Sequence, residues 1–116
     1  MIYDSTKDGE VVRALQPGDV ARAMHPNSTA VAGAAGSTAE ALVKGSIAKA
    51  CVAGSRAVAR AANSRAVALA EGSTAVACVA GSKAVALVAG STAKAWAEGS
   101  TAEARVAGAI AIPYAA

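Results

Sequence analysis

The sequence predicts an all-β fold, a parallel β-solenoid of twelve nine-residue repeats, and three observations carry that prediction. First, residues 9–116 divide into twelve nonads without insertion or deletion, beginning at Gly9, Gly18, Asn27, Gly36, Gly45, Gly54, Asn63, Gly72, Gly81, Gly90, Gly99 and Gly108. A short fixed period of this kind is the mark of a solenoid. Second, every nonad opens on Gly or Asn, the residues that most readily take a positive φ, which marks a turn at each repeat. Third, the residues after each turn alternate with period two. Positions 2, 4, 6 and 8 carry mainly Ser, Ala, Ala and Val or Ala and never Lys or Arg, whereas positions 3, 5 and 7 hold Thr, Lys, Arg, Glu, Val, Leu, Cys and Trp. One face free of cations, acidic only at Glu10 and Asp19, and one mixed face describe a strand with an inside and an outside.

A helix fails on phase, although Ala is the best helix former. Nine residues advance an ideal helix by about two and a half turns, so successive Ala pairs would fall on opposite sides. Each Gly would also cost about 0.5–1 kcal/mol inside a helix. Each nonad therefore reads as a Gly-Ser turn followed by a strand with its small residues inward. The first units, "GEVVRALQP" and "GDVARAMHP", keep the frame despite their different composition. Residues 1–8, "MIYDSTKD", form an N-terminal cap segment, and residues 9–116 form the repeat domain.

Coil length is read from how nonads resemble one another. At positions 3, 5, 7, 8 and 9 there are 16 identities over nine nonad pairs at a lag of 27 residues, against 9 over ten pairs at a lag of 18. Leu15, Leu42, Leu69 and Trp96 fall in one column of the longer frame, and Cys51 and Cys78 in another. The expected coil has three strands and 27 residues. The alternative is a thin two-sheet roll of 18 residues, which Ala against Ala fills more easily than a triangle. A third arrangement winds several chains together. In the 27-residue coil Cys51 and Cys78 stack on adjacent coils, within reach of an intrachain disulfide on mild oxidation, although both are expected as reduced thiols.

Units such as "NSRAVALAEGSTAVACVAGSKAVA" resemble the Ser-x-Ala-Val-Ala repeats in the heads of trimeric autotransporter adhesins, and the short Ala/Gly/Ser β-solenoid proteins of bacteria and phages. The resemblance covers Asn27 to Ala107. It implies a solenoid and, for a phage-borne protein, an inhibitor or decoy that binds a host macromolecule. The long repeats, signal peptide, stalk and anchor of the adhesins have no counterpart here.

Composition narrows the function. Phe is absent and aromatics are 3% of the chain, so no bulky core can form. The net charge of +3 is scattered, with Glu between the cations, and stacking aromatics are missing, which argues against a nucleic-acid partner. No run of about 18 apolar residues spans a membrane, and no basic start precedes an apolar run. A cytoplasmic location is expected, in the host cell if the protein is phage-encoded. His25 is the single histidine, in an inward phase, and reads as a hydrogen-bonded or end-cap residue. Hexapeptide acyltransferases pair a β-helix with a catalytic His, but the period here is nine and bulky aliphatic corners are missing. Cys51 and Cys78 lack metal-site spacing, and Glu40, Glu71, Glu98 and Glu103 read as solvated charges. Thr29, Thr38, Thr74, Thr92 and Thr101 fall short of an ice-binding array because Arg56, Arg65 and Lys83 interrupt it.

No cofactor, metal or catalysis is therefore expected. The sequence is read as a structural or assembly module that presents a rigid surface, with the inhibitor as alternative. The last coil replaces polar outward residues with Ile110, Ile112 and Tyr114 and carries Trp96, the only tryptophan. These four residues are the expected interface of a homo-oligomer, a dimer or trimer, joined through the C-terminal coil. A host or phage protein is the other expected partner.

Overall fold

A computed structural model of the chain describes residues 2–112. These residues form β1 (Ile2–Asp4), β2 (Val11–Ala14), β3 (Val20–Ala23), β4 (Thr29–Ala32), β5 (Thr38–Ala41), β6 (Ile47–Ala50) and β7 (Arg56–Ala59). Next in the chain come β8 (Arg65–Ala68), β9 (Thr74–Ala77), β10 (Lys83–Ala86), β11 (Thr92–Ala95), β12 (Thr101–Ala104) and β13 (Ile110–Ile112). Odd-numbered strands build a seven-stranded sheet A in the order β1-β3-β5-β7-β9-β11-β13, and even-numbered strands a six-stranded sheet B. All pairings are parallel. Among the described residues no helix is long and apolar enough to cross a membrane.

The coil is 18 residues, not 27. Thr38 pairs with Arg56 and Arg56 with Thr74, while Thr29 pairs with Ile47 and Ile47 with Arg65, so neighbours in each ladder are two nonads apart. Close packing is the physical reason. The inward alanines from Ala14 to Ala86 are all fully buried between the two sheets. Side chains this short can close only a narrow gap, and three nine-residue sides would leave a void along the axis. Among the described residues the bulky exceptions at positions 4 and 6 are Tyr3 and Val12, both in the first coil, where one side of the stack is open. The correction separates Cys51, on the sheet B side, from Cys78, on the sheet A side, and both are free thiols. Lag-27 identities therefore relate residues on opposite faces, and the coil geometry gives no reason for them.

Each turn is a four-residue reversal at Gly or Asn, and from Ser28 to Ser100 the following Ser locks it. At the turn before β5, the Ser37 amide donates to the Ala34 carbonyl (3.0 Å) across Gly36, whose φ is +77°. A positive φ at the third residue defines the type II turn, and Pro suits its second residue, which is where Pro17 and Pro26 stand. Asn27 and Asn63 take the same left-handed geometry at φ 63° and 61°. The buried Ser37 hydroxyl donates to the Ala34 carbonyl (2.5 Å) and accepts from the Ala34 amide (3.1 Å). The same double bond recurs from Ser28 to Ser100. Between coils the turns form their own ladder, in which the Gly36 amide donates to the Gly54 carbonyl and Gly54 to Gly72. Buried polar groups are thus satisfied within the repeat.

At the N-terminal end, β1 continues the ladder of sheet A, with Ile2, Tyr3 and Asp4 opposite Val20, Ala21 and Arg22. Tyr3 stands in the inward phase and hydrogen-bonds Asp19; desolvation and that acidic neighbour raise its phenol above the ordinary value. Glu10 replaces the turn serine, and its longer side chain accepts from the Thr6 amide at 2.5 Å. That bond holds the Glu10 carboxyl below its ordinary value.

Candidate functional site

Period-two alternation sends positions 3, 5 and 7 of every nonad outward, and the 18-residue coil stacks them in columns along each sheet. On sheet A the position 5 column runs Asp4, Arg22, Glu40, Val58, Val76, Lys94 and Ile112. Its character changes along the axis, and three zones result.

The first zone is a ladder of opposite charges. Arg22 donates to both oxygens of Asp4, at 2.6 and 2.8 Å. These bonds hold the Asp4 carboxyl below its ordinary value and raise the Arg22 guanidinium, to which the Glu40 charge adds. Arg60 approaches Glu40 at 3.4 Å. Cross-strand opposition of unlike charges is favourable but small at an exposed surface.

In the second zone the column turns apolar. Val58 and Val76 point outward, yet only 5% and 7% of their surfaces are exposed, because longer neighbours cover them. Arg56, Arg60, Lys94 and Trp96 rise around these valines and line an open trough, with Thr74 and Cys78 between them. Trp96 is 62% exposed. Among the described residues the lining holds three cations and no carboxylate. Among the described residues neither Arg56 nor Lys94 has an ion-pair partner.

The third zone is apolar and exposed. β13 pairs with β11 so that Ile110 lies beside Thr92 and Ile112 beside Lys94, and the two isoleucines are 52% and 45% exposed. Of the four residues the sequence marks as an interface, Trp96, Ile110 and Ile112 therefore come together on the outer face of one sheet, facing away from the stacking axis. Tyr114 lies outside the described residues. Sequence reasoning missed Arg56, Arg60 and Lys94 as a group. Their signal was present at a lag of 18, in the columns Arg56-Thr74-Thr92 and Arg60-Cys78-Trp96, which the 27-residue frame divides between different faces.

Sheet B is less differentiated. Lys83 reaches Glu103 at 3.4 Å, and Arg105 donates to the same carboxylate, holding it below its ordinary value. Arg65 and Lys83 flank a shallow depression beside Asn63 and Gly81. His25 is half-buried near the N-terminal end, its Nδ1 3.3 Å from the Ser5 hydroxyl, which itself accepts from the Met24 amide. Among the described residues no three of His, Cys, Asp and Glu gather into a metal-holding group. No protein-family model, curated protein or solved structure matches this chain.

Proposed function

We propose that this protein is a non-catalytic assembly module: a rigid β-solenoid that holds a recognition face and self-associates through its C-terminal coil, most simply as a two-fold dimer. The observation that carries the reading is the exposure of Trp96, Ile110 and Ile112 on one face of sheet A. Large apolar side chains gathered on a face of otherwise small and charged residues are what an interface anchor provides. Among the described residues β12 and β13 are also paired on one side only, so strand edges adjoin the apolar zone. In this reading the protein works in a reducing cytoplasm, with Cys51 and Cys78 as thiols.

Sedimentation tests it. The wild-type chain is expected to sediment as a dimer, and the double variant Ile110→Ser, Ile112→Ser as a monomer with an unchanged β-type circular dichroism spectrum. A wild-type protein that stays monomeric at every accessible concentration overturns the reading. The alternative, a binder or inhibitor of another macromolecule, draws its support from the cationic trough beside the same zone.

A further inference from the structure

From the geometry of sheet A we infer that the trough between β7 and β11 is a docking site for an acidic, extended segment of a partner protein. One apolar side chain of that segment packs against the exposed face of Trp96, over the floor of Val58 and Val76. Its carboxylates meet Arg56 on one side and Lys94 on the other, with Arg60, which already faces Glu40, at the margin.

Charge complementarity sets the sign of the partner. Among the described residues the lining supplies three cations and no acid, and Arg56 and Lys94 have no ion-pair partner. Charge left unpaired on a rim steers an oppositely charged partner and fixes its register. Spacing sets the partner's form. β7 and β11 are separated by β9 alone, so the two cationic rims stand about 10 Å apart. An extended chain places same-face side chains about 7 Å apart. An acid-x-apolar-x-acid segment laid along the solenoid axis sets its two acids about 14 Å apart, about 2 Å outside each rim and within the reach of long Arg and Lys side chains, with its apolar residue between them.

Two other occupants fit less well. A single strand of nucleic acid needs successive aromatic platforms for its bases, whereas among the described residues Trp96 is the only aromatic one in the lining. A second copy stacked trough on trough by a two-fold axis would set cations against cations. Ile110 and Ile112 are not in the lining of the trough while Trp96 borders both surfaces, so the Ser variant is what separates the inference from self-association.

Trp96 is the only tryptophan of the chain, so its fluorescence reports occupancy of the trough directly. The probe is a blocked peptide, Glu-Glu-Leu-Glu-Glu, whose first, third and fifth residues carry the acid-x-apolar-x-acid pattern, titrated against wild-type protein and against the Ile110→Ser, Ile112→Ser variant. A saturable change in Trp96 emission is expected in both, weakening as salt rises, and absent with the peptide in which Gln replaces every Glu. The double reversal Arg56→Glu, Lys94→Glu alters one exposed and one half-buried outward side chain, keeps the β spectrum and weakens binding by about tenfold or more. Absence of a response to the acidic peptide, a response that the double reversal leaves intact, or tighter binding of oligothymidylate than of the peptide each overturns the inference. Binding by wild-type but not by the Ser variant would overturn the separation from self-association.

Discussion

Replacing Ala66 by Val tests the thinness of the core, because the sign of the effect depends on the coil. Ala66 lies on β8 with Ala48 and Ala84 opposite it in the ladder, and all three are fully buried. Valine adds two methyl groups on the inner face. Were there room along the axis, their burial would stabilise the chain by about 1.6 kcal/mol, at about 0.8 kcal/mol per buried carbon, and Val also suits a strand better than Ala. In a gap closed by alanines of the facing sheet there is no such room. Overpacking of this kind costs about 1–3 kcal/mol net, which lowers the melting temperature by about 4 °C per kcal/mol for a domain of this size. Urea unfolding followed by circular dichroism measures it, with Ala102→Val as control. Ala102, on β12, is only half-buried, so the added methyls there should change stability by no more than about 0.5 kcal/mol. A central coil is the right place to look, since terminal repeats can fray without unfolding the rest. An Ala66→Val protein as stable as wild type, or more so, would refute the packing argument.

The repeat and its surface fix three further outcomes. A Cβ at Gly54 meets nothing closer than 3.8 Å, but φ there is +80°, so Gly54→Ala should cost about 1–2 kcal/mol while Gly54→Asn, which imitates Asn27 and Asn63, costs less; equal urea midpoints for the two variants would contradict this. Because Arg22 and Arg105 hold the Asp4 and Glu103 carboxyls below their ordinary values, the folded chain binds fewer protons than the unfolded chain in the acid range. Their contribution is complete above about pH 5 and is lost as pH falls past about 4 through the lowered folded values. The Asp4→Asn, Glu103→Gln variant should lose less stability on acidification, and an unchanged acid limb would show that these pairs are not its source. Mild oxidation should join Cys51 and Cys78 only between chains, since they belong to opposite faces, and an intrachain disulfide found by non-reducing mass spectrometry would contradict the 18-residue coil.

Much of the fold was legible because it rests on local chemistry repeated at every unit. The positive φ at Gly or Asn, the serine after it and the alternation of Ala with larger residues each act within one nonad, so strands and turns form without reference to distant parts of the chain. The site was legible only in part. Trp96, Ile110 and Ile112 stand out as apolar residues at outward positions, and a composition-level eye finds them. Arg56, Arg60 and Lys94 look like scattered solvated charges until the columns of the right coil set them around Val58 and Val76.

By itself, then, the sequence determined the strand, the turn, the inward face of alanine and the parallel stacking, since these depend on steric and hydrogen-bonding preferences inside nine residues. Which nonad lies over which was decided only in three dimensions. The repeat is nearly identical at its inward positions, so Ala pairs with Ala equally well at a lag of 18 or 27, and ladder hydrogen bonds do not distinguish them. The outward residues favoured the longer lag by resemblance, but resemblance among exposed side chains has little energy behind it. Packing decides: side chains as short as Ala and Ser leave no void only when two sheets lie face to face. That choice assigned every outward residue to a face and brought Trp96 into the same trough as Arg56 and Lys94.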